Sequence, residues 1–410
     1  MKRTVITIAL TAIIACMALP ISADTDISVN GQLRIRPEFS NKNFGIPKKT
    51  EQYTFLRTRI GVTATIDENT KAFVQFQDSR ILGDSLGSGG LEEREKVDIH
   101  QAYINVKELW KNGPGIKAGR FELNLGNQRV FGAVGWHNVG RSWDGFMAWH
   151  QIKQLTINAL YLKKLEMNNE DGNRDFDIYG IYSHCDRFNV DLFGIIEKNS
   201  KLVSDTSEMN LFDRYSVGTY FKRSVNNIDF EFNGVYQFGT MRDSTETETD
   251  IAAFMFTAEA GYSFDSELKP RVSVGVDYTS GDDDLTDDKY KAYNNLYYTG
   301  HKFRGYIDRF IGSPVYGLID MMIRAKINPT NGWTIKGDFH YFTAAADYMY
   351  NSAKTKDIGM EFDLTVGTKR VAGVGITTGA SYFMPKESYA GFADPDPGFW
   401  FYTQLIANFK

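Results

Sequence analysis

The amino-acid sequence predicts an all-β chain, a single transmembrane antiparallel β-barrel of about 18 strands with long extracellular loops. Three observations carry that prediction. Apolar and polar residues alternate with period two over runs of ten to thirteen residues, whereas soluble strands average about five or six residues and bilayer-crossing strands need about 9–11. Aromatic residues are plentiful, with 22 Tyr, 29 Phe and 6 Trp in 410 residues, and several stand near the ends of these runs. The final run places Phe399, Phe401, Leu405, Ala407 and Phe409 in one phase. Outer-membrane barrels commonly end on such an amphipathic strand with a terminal aromatic, which the barrel-assembly machinery reads; here Lys410 follows Phe409.

Composition excludes the competing classes. No stretch after residue 23 approaches the ~18 consecutive apolar residues of a spanning helix. A hydrophobic fraction of 42% with 14% aromatics is too apolar for disorder, and two cysteines cannot build a disulfide framework. Length alone suggests two or three soluble domains, yet no Pro/Ser-rich linker divides the chain. Eighteen repeats of about 21 residues, strand plus connection, account for the length in one closed sheet. The negative mean hydropathy of −0.35 fits a wall in which only alternate residues face lipid.

The chain opens on a secretory signal. Met1-Lys2-Arg3 is a positive n-region, Val5 to Leu19 is apolar, and Ala23 is a small residue before a cut, so residues 1–23 read as a signal peptide and 24–410 as the barrel. Ile13-Ile14-Ala15-Cys16 has the form of a lipoprotein box, but the apolar run continues past it to Leu19, which favours ordinary cleavage. Cleavage removes Cys16 and leaves Cys185 alone, as a buried packing residue. An exported chain with this pattern is expected in a Gram-negative outer membrane, among its lipids.

In the first mature strand Ile27, Val29, Gly31, Leu33 and Ile35 alternate with Ser28, Asn30, Gln32, Arg34 and Arg36. The second sets Leu56, Ile60, Val62, Ala64 and Ile66 against Arg57, Arg59, Thr63 and Thr65. Later segments repeat the pattern, with centres near residues 75, 103, 119, 147, 158, 180, 192, 218, 233, 257, 275, 321, 337, 362, 378 and 404. Short links are read at Asp67–Thr70, Asn226-Asn227, Asn328–Gly332 and Thr368–Arg370. The long loops fall at 80–96, 123–142, 163–174, 198–212, 240–249 and 280–313. Trp333, Tyr341, Phe342, Tyr382, Phe383, Trp400 and Tyr402 suit interfacial girdles.

Charge is informative by region. Residues 24–145 hold 17 basic and 15 acidic residues, whereas the remainder holds 27 and 36. An acidic chain argues against a nucleic-acid partner. The acids concentrate in Asp243–Asp250 and Asp282–Asp288; such runs are ordinarily solvated loops, with weak Ca²⁺ binding as the alternative, at Asp282, Asp283 and Asp284.

No catalytic or cofactor motif is present: the six histidines form no HExxH and no Cys pairing, and no GxSxG elbow or phosphate loop occurs. The reading is not an enzyme, with no cofactor, and with histidines as rim or lumen hydrogen-bonders. The positive signal is arginine. Nine of 19 mature arginines lie between residues 34 and 141. Arg34, Arg36, Arg57 and Arg59 share the polar phase of adjacent strands and are expected in the lumen, since an arginine facing lipid costs about 2–4 kcal/mol at mid-bilayer. Arg80 breaks its strand's phase and is placed at a rim. Glu122, Asp144, Asp229 and Glu361 are available as pairing acids. Guanidiniums grip carboxylates bidentately, and rings of Arg or Lys make pores favour anions.

At the fifth and sixth strands, Gly119-Arg120-Phe121-Glu122-Leu123-Asn124-Leu125-Gly126-Asn127-Gln128-Arg129-Val130-Phe131-Gly132 followed by Trp136-His137-Asn138-Val139-Gly140-Arg141-Ser142-Trp143-Asp144-Gly145 resembles the alginate export family. That family's pattern reads GRQEL-x-x-G-x-x-R-x-x-G, then W-x-N-x-x-R-x-x-D-G; Phe121 stands where Gln is usual. Asp277-Tyr278-Thr279-Ser280-Gly281-Asp282 and Ile358–Asp363 resemble later segments. The resemblance implies an eighteen-stranded outer-membrane barrel whose Arg-lined lumen passes an acidic polysaccharide, an alginate-like polyuronate, passively and with anion selectivity. It further implies that Arg120, Glu122, Arg129, Arg141 and Asp144 match the constriction and loop motif, and that periplasmic export components could be partners. The alternatives are a porin for small anionic solutes or ions, and a structural or adhesive barrel.

Overall fold

The computed structural model describes residues 25–42, 50–83, 97–166, 175–200, 211–242, 247–312, 314–371 and 373–410. The signal-peptide reading and the first half of the Asp243–Asp250 run, residues 243–246, lie outside the described residues.

Strict alternation lets each strand bury one face and expose the other, and the described strands follow it in chain order: β1 (Asp26–Asn41), β2 (Glu51–Thr65), β3 (Thr70–Ile81), β4 (Asp98–Val106), β5 (Gly115–Phe121), β6 (Trp143–Ile152), β7 (Leu155–Leu165), β8 (Phe176–Cys185), β9 (Val190–Asn199), β10 (Leu211–Val225), β11 (Ile228–Arg242), β12 (Glu248–Ser263), β13 (Arg271–Thr279), β14 (Lys289–Tyr290), β15 (Leu318–Ile327), β16 (Trp333–Tyr350), β17 (Ala353–Val371), β18 (Val374–Pro385) and β19 (Gly398–Phe409). Apart from the two-residue β14, each pairs antiparallel with its sequence neighbours, and β1 pairs with both β2 and β19. The sheet therefore closes as an 18-stranded barrel without a free edge. The expected strand number holds.

Both described chain ends lie at one end of the barrel, the periplasmic end in this class, with tight turns such as Asn226-Asn227, and the long connections between β5 and β6 and between β13 and β15 lie at the other, which also carries the two-residue turn Asn351-Ser352. Val225 faces Ile228 across Asn226-Asn227, with Asn226 at φ +53°, a tight turn that asparagine tolerates. The link read at Thr368–Arg370 belongs instead to β17, whose strand runs to Val371; the turn follows at Gly373, φ +75°. Polar threonine and charged residues mimic a turn there, but the chain reverses at the glycine.

Ile27, Val29, Ile60, Phe230, Val274, Phe401 and Leu405 are exposed on the outer face, the face presented to lipid. Inside, the loop between β5 and β6 (residues 122–142) and the loop between β13 and β15 (residues 280–317) fold into the lumen. They create two apolar clusters, one around Phe121, Phe131, Trp143 and Tyr297, the other around Ile307, Phe310, Phe342, Phe383, Trp400 and Tyr402. Four aromatics expected in a girdle, Phe342, Phe383, Trp400 and Tyr402, thus point inward and are buried. A water-filled lumen would leave such rings exposed; the infolded loops supply apolar partners. Cys185 is only half-buried.

Candidate functional site: a two-loop constriction

The two lumenal loops are tied to each other before they are tied to the wall. Phe131 and Tyr297 form a parallel bridge. Gly132 N–H donates to Tyr297 O at 2.9 Å, Tyr297 N–H to Val130 O at 3.1 Å, and Thr299 N–H to Gln128 O at 3.0 Å. Arg141 reaches across and donates to the carbonyls of Gly132, Tyr297 and Tyr298. Trp136 stacks on His301, whose ring also bonds Asp308 at 2.8 Å.

On one side the paired loops meet a basic wall. Arg34 and Arg57 are direct cross-strand partners, as are Gln32 and Arg59, so the period-two pattern brings Arg34, Arg36, Arg57 and Arg59 to one lumenal patch. All four are buried. Arg34 donates to Gly135 O at 2.9 Å, to Trp136 O and His137 O at 3.1 Å, and to Asn138 Oδ1 at 3.2 Å. Arg57 donates to Gly135 O and His137 O at 3.1 Å. Arg36 donates to Trp136 O at 2.7 Å and lies over the Trp136 ring at 3.9 Å. Arg59 donates to Val139 O at 3.1 Å and to Glu122 Oε1 at 3.0 Å, beside His100. Two carboxylates appear among their described partners, Glu122 with Arg59 and Glu38 with Arg36. Backbone oxygens of residues 135–139 supply most of the rest.

On the other side the loops meet an acidic wall. Ile307 N–H donates to Glu361 Oε1 at 2.8 Å and Tyr306 N–H to Asp363 Oδ2 at 3.3 Å. Gly305 sits at φ +75°, and a Cβ there would stand 2.6 Å from the Glu361 carboxyl, so only glycine lets the backbone come this close. Asp277, buried on β13, receives Arg129 at 2.6 Å and Arg304 at 3.0 Å. The first loop thus presents carbonyls to the basic wall, the second presents N–H groups to the acidic wall, and each contributes one guanidinium, Arg129 and Arg304, to Asp277. His340 bonds Asp320 at 2.9 Å within the same wall. Glu361, expected to pair with an arginine, accepts a backbone N–H instead.

The clasped loops leave a cavity of about 270 Å³ on the extracellular side, lined by Trp136, His137, Arg141, Tyr298, His301 and Asp308. A larger one, about 570 Å³, lies on the periplasmic side, lined by Arg129, Lys222, Glu231, Glu259, Arg271 and Lys302. Burial, and then the guanidiniums of Arg36, Arg34 and Arg57, hold the His137 imidazole below its ordinary value. Its Nδ1 accepts the Val139 N–H at 3.2 Å, as a neutral ring requires.

A family model described as alginate export matches residues 25–391. The chain belongs to the alginate export family. Comparison with curated proteins of established function finds none that matches. Among solved structures, the chain is similar in fold to Acinetobacter baumannii OccAB1 (TM-score 0.63, 11% identity, 95% of this chain and 98% of that one covered). It is likewise similar to Pseudomonas aeruginosa OccD3 (0.59, 11%, 96% and 96%) and to P. aeruginosa OccK2 solved in complex with glucuronate (0.59, 11%, 93% and 98%). The protein is an outer-membrane channel of the Gram-negative type.

Within this alginate export family barrel, the motif residues divide. Glu122, Arg129 and Arg141 enter the lumen, as described. Arg120 and Asp144 do not: they form an ion pair at 2.7 Å, with side chains 41% and 54% exposed, on the outer face. Phe121 and Trp143, their chain neighbours, take the lumenal phase and are buried. Alternation obliges this, because a strand that turns Phe121 inward turns Arg120 outward. The departure from glutamine at Phe121 accordingly fills the aromatic cluster. Arg80, also on the outer face, pairs with Asp78 near the extracellular end of β3. The Asp282–Asp284 carboxylates are occupied locally: Asp282 accepts the Asp284 and Lys291 N–H groups, Asp284 accepts Thr286, and Lys291 lies 3.6 Å from Asp283. Among the described residues no group of three or more side chains is arranged to hold a metal ion. Arg304, Asp277, Trp136 and Asp363 are site residues that the sequence did not assign to the site; Trp136, Asp277 and Asp363 carried a signal, standing in the family-resembling segments, and Asp277 also stands in the polar phase of β13.

Proposed function

We propose that this barrel passes anionic solutes, with acidic polysaccharide of the polyuronate type as the substrate class, by passive diffusion past its arginine patch. One observation carries the reading: Arg34, Arg36, Arg57 and Arg59 converge on one lumenal surface with two contacting carboxylates among the described residues, Glu38 and Glu122, so the described patch holds an excess of positive charge. Backbone oxygens of Gly135, Trp136 and His137 occupy positions that carboxylate oxygens of a passing uronate would take. Exchange of a neutral carbonyl for an anion strengthens each hydrogen bond. A polymer carries carboxylates closer together than a Debye length of about 8 Å, so it can hand itself from one arginine to the next, binding well enough to enter and loosely enough to leave.

Passage requires residues 133–140 to move off the arginines. A second reading, transport of small uronates or ions with no polymer role, is favoured by the closed clasp and the small cavities on either side. Family membership supports the first reading. The fold shared with a glucuronate-bound porin at 11% identity is compatible with both.

Planar-bilayer recordings under a salt gradient test the proposal. Anion-selective reversal potentials, together with current block by polyuronate oligomers that grows with oligomer length, are expected. Cation selectivity would overturn it, and block by monomeric uronate equal to that by long oligomers would favour the small-solute reading.

A further inference from the structure

The outward-facing pair Arg120–Asp144 is the start of a longer arrangement. In strand register Arg120 stands opposite Asp144, Asp144 opposite Lys163, Lys163 opposite Asp177, Asp177 opposite Lys198, and Lys198 opposite Asp213. The sign therefore alternates at every step across six consecutive strands, β5 to β10. All six point away from the lumen, since their chain neighbours Phe121, Trp143, Leu162, Phe176, Glu197 and Arg214 are buried inside. Lys163 draws in further acids, with Glu166 at 2.7 Å, Asp177 at 2.9 Å and Asp175 at 3.1 Å.

A second row runs parallel to the first, two residues nearer the periplasm. Phe146 faces Tyr161, Tyr161 faces Tyr179, Tyr179 faces Ile196, Ile196 faces Tyr215, and Tyr215 faces Phe238. Aromatic rows of this kind sit where acyl chains meet headgroups. The charge row lies about 7 Å further along the strands, which carries it beyond the acyl region and among the headgroups of the outer leaflet. Strand spacing of about 4.8 Å puts like charges about 10 Å apart along the row.

We propose that this row is a docking surface for phosphorylated lipid headgroups bridged by divalent cations. Arg120, Lys163 and Lys198 take phosphate oxygens; Asp144, Asp177 and Asp213 share the bridging cations. A bare anionic headgroup would be repelled at every second position, whereas a phosphate lattice with its cations presents both signs. The additional carboxylates of Glu166 and Asp175 tip the row towards excess negative charge, which favours mobile divalent cations as the mediators. This surface is independent of the lumen and does not rest on the proposed transport.

The test uses the purified full-length barrel and native mass spectrometry, counting retained diphosphorylated diglucosamine lipid in Mg²⁺ and after EDTA, with phosphatidylcholine as the comparison lipid. Wild type is expected to retain the phosphorylated lipid in Mg²⁺ and release it in EDTA. The double variant Lys163→Gln/Lys198→Gln is expected to lose retention at least about tenfold, and Asp177→Asn/Asp213→Asn to lose the Mg²⁺ dependence. Unchanged single-channel conductance in both shows an intact barrel. Equal retention in the variants, equal retention of phosphatidylcholine, or a variant effect on oligomeric state alone would overturn the proposal; the last would assign the row to contacts between copies of this chain.

Discussion

Trp136 and His301 stack face to face, with ring centroids 4.1 Å apart and planes 8° from parallel, although each is carried on a different lumenal loop. The Trp136 ring also meets Trp400 and Tyr402 edge-on at 5.8 and 4.8 Å and receives the Arg36 guanidinium at 3.9 Å. One indole therefore touches both loops and both chain-terminal strands of the wall. It is the pin of the constriction.

Replacing Trp136 with Ala should loosen the clasp without unfolding the barrel, whose closure rests on strand pairing. An aromatic pair contributes about 1 kcal/mol beyond its area, so the ratio of unseated to seated loop should rise at least about fivefold. Single-channel recording would show longer or larger openings, and the effect of a Trp136→Ala/His301→Ala double variant should be smaller than the sum of the two single ones, because the stacked pair is lost only once.

Arg34→Gln and Arg57→Gln should each lower anion selectivity, moving the reversal potential towards zero. Each removes one of the two arginine donors shared by Gly135 O and His137 O, and a hydrogen bond from a charged donor contributes about 1.5–3 kcal/mol, so the seat weakens while each carbonyl keeps its second donor. Conductance should therefore rise as selectivity falls. A rise in conductance with selectivity unchanged would show the arginines to be props for the loop and nothing more.

His137 makes the seat pH-dependent. Its pKa when seated is held below the ordinary 6.5 by burial and by neighbouring arginines. Above 6.5 the ring is neutral in seated and unseated loops alike, and the seat is fully present. As pH falls below 6.5, an unseated His137 takes a proton that the seated one refuses, so the balance shifts to the unseated loop by at most about tenfold per pH unit. Open probability should climb on acidification through this window, and His137→Asn should flatten the profile.

Asp277→Asn leaves Arg129 and Arg304 buried without their carboxylate, a defect of about 3–5 kcal/mol. The loop spanning residues 280–317 should then become sensitive to added protease while the barrel remains folded in detergent. Arg242→Gln, which breaks an exposed pair with Glu248 at 3.0 Å, should change stability by less than about 1 kcal/mol.

Much of the fold was legible because its rule is local. Alternation of Ile27, Val29, Leu33 and Ile35 with Gln32, Arg34 and Arg36 names the strand, its two faces and the side on which the arginines stand, and the same rule repeated along the chain gives the strand number. The same rule, applied to β5, also turns Arg120 outward once Phe121 is placed inside. Motif resemblance grouped Arg120 with lumenal residues that alternation separates.

What no local pattern contains is what covers a lumenal surface. The oxygens that hold Arg34 come from residues about a hundred positions away, and Trp400, Tyr402, Phe342 and Phe383 turn inward because infolded loops offer them apolar partners. The sequence by itself determined a closed membrane barrel with an arginine-bearing inner face. Only the tertiary structure decided that this face is occupied by a loop of the same chain, since period two specifies the side on which a residue points, while its partner is chosen by long-range packing.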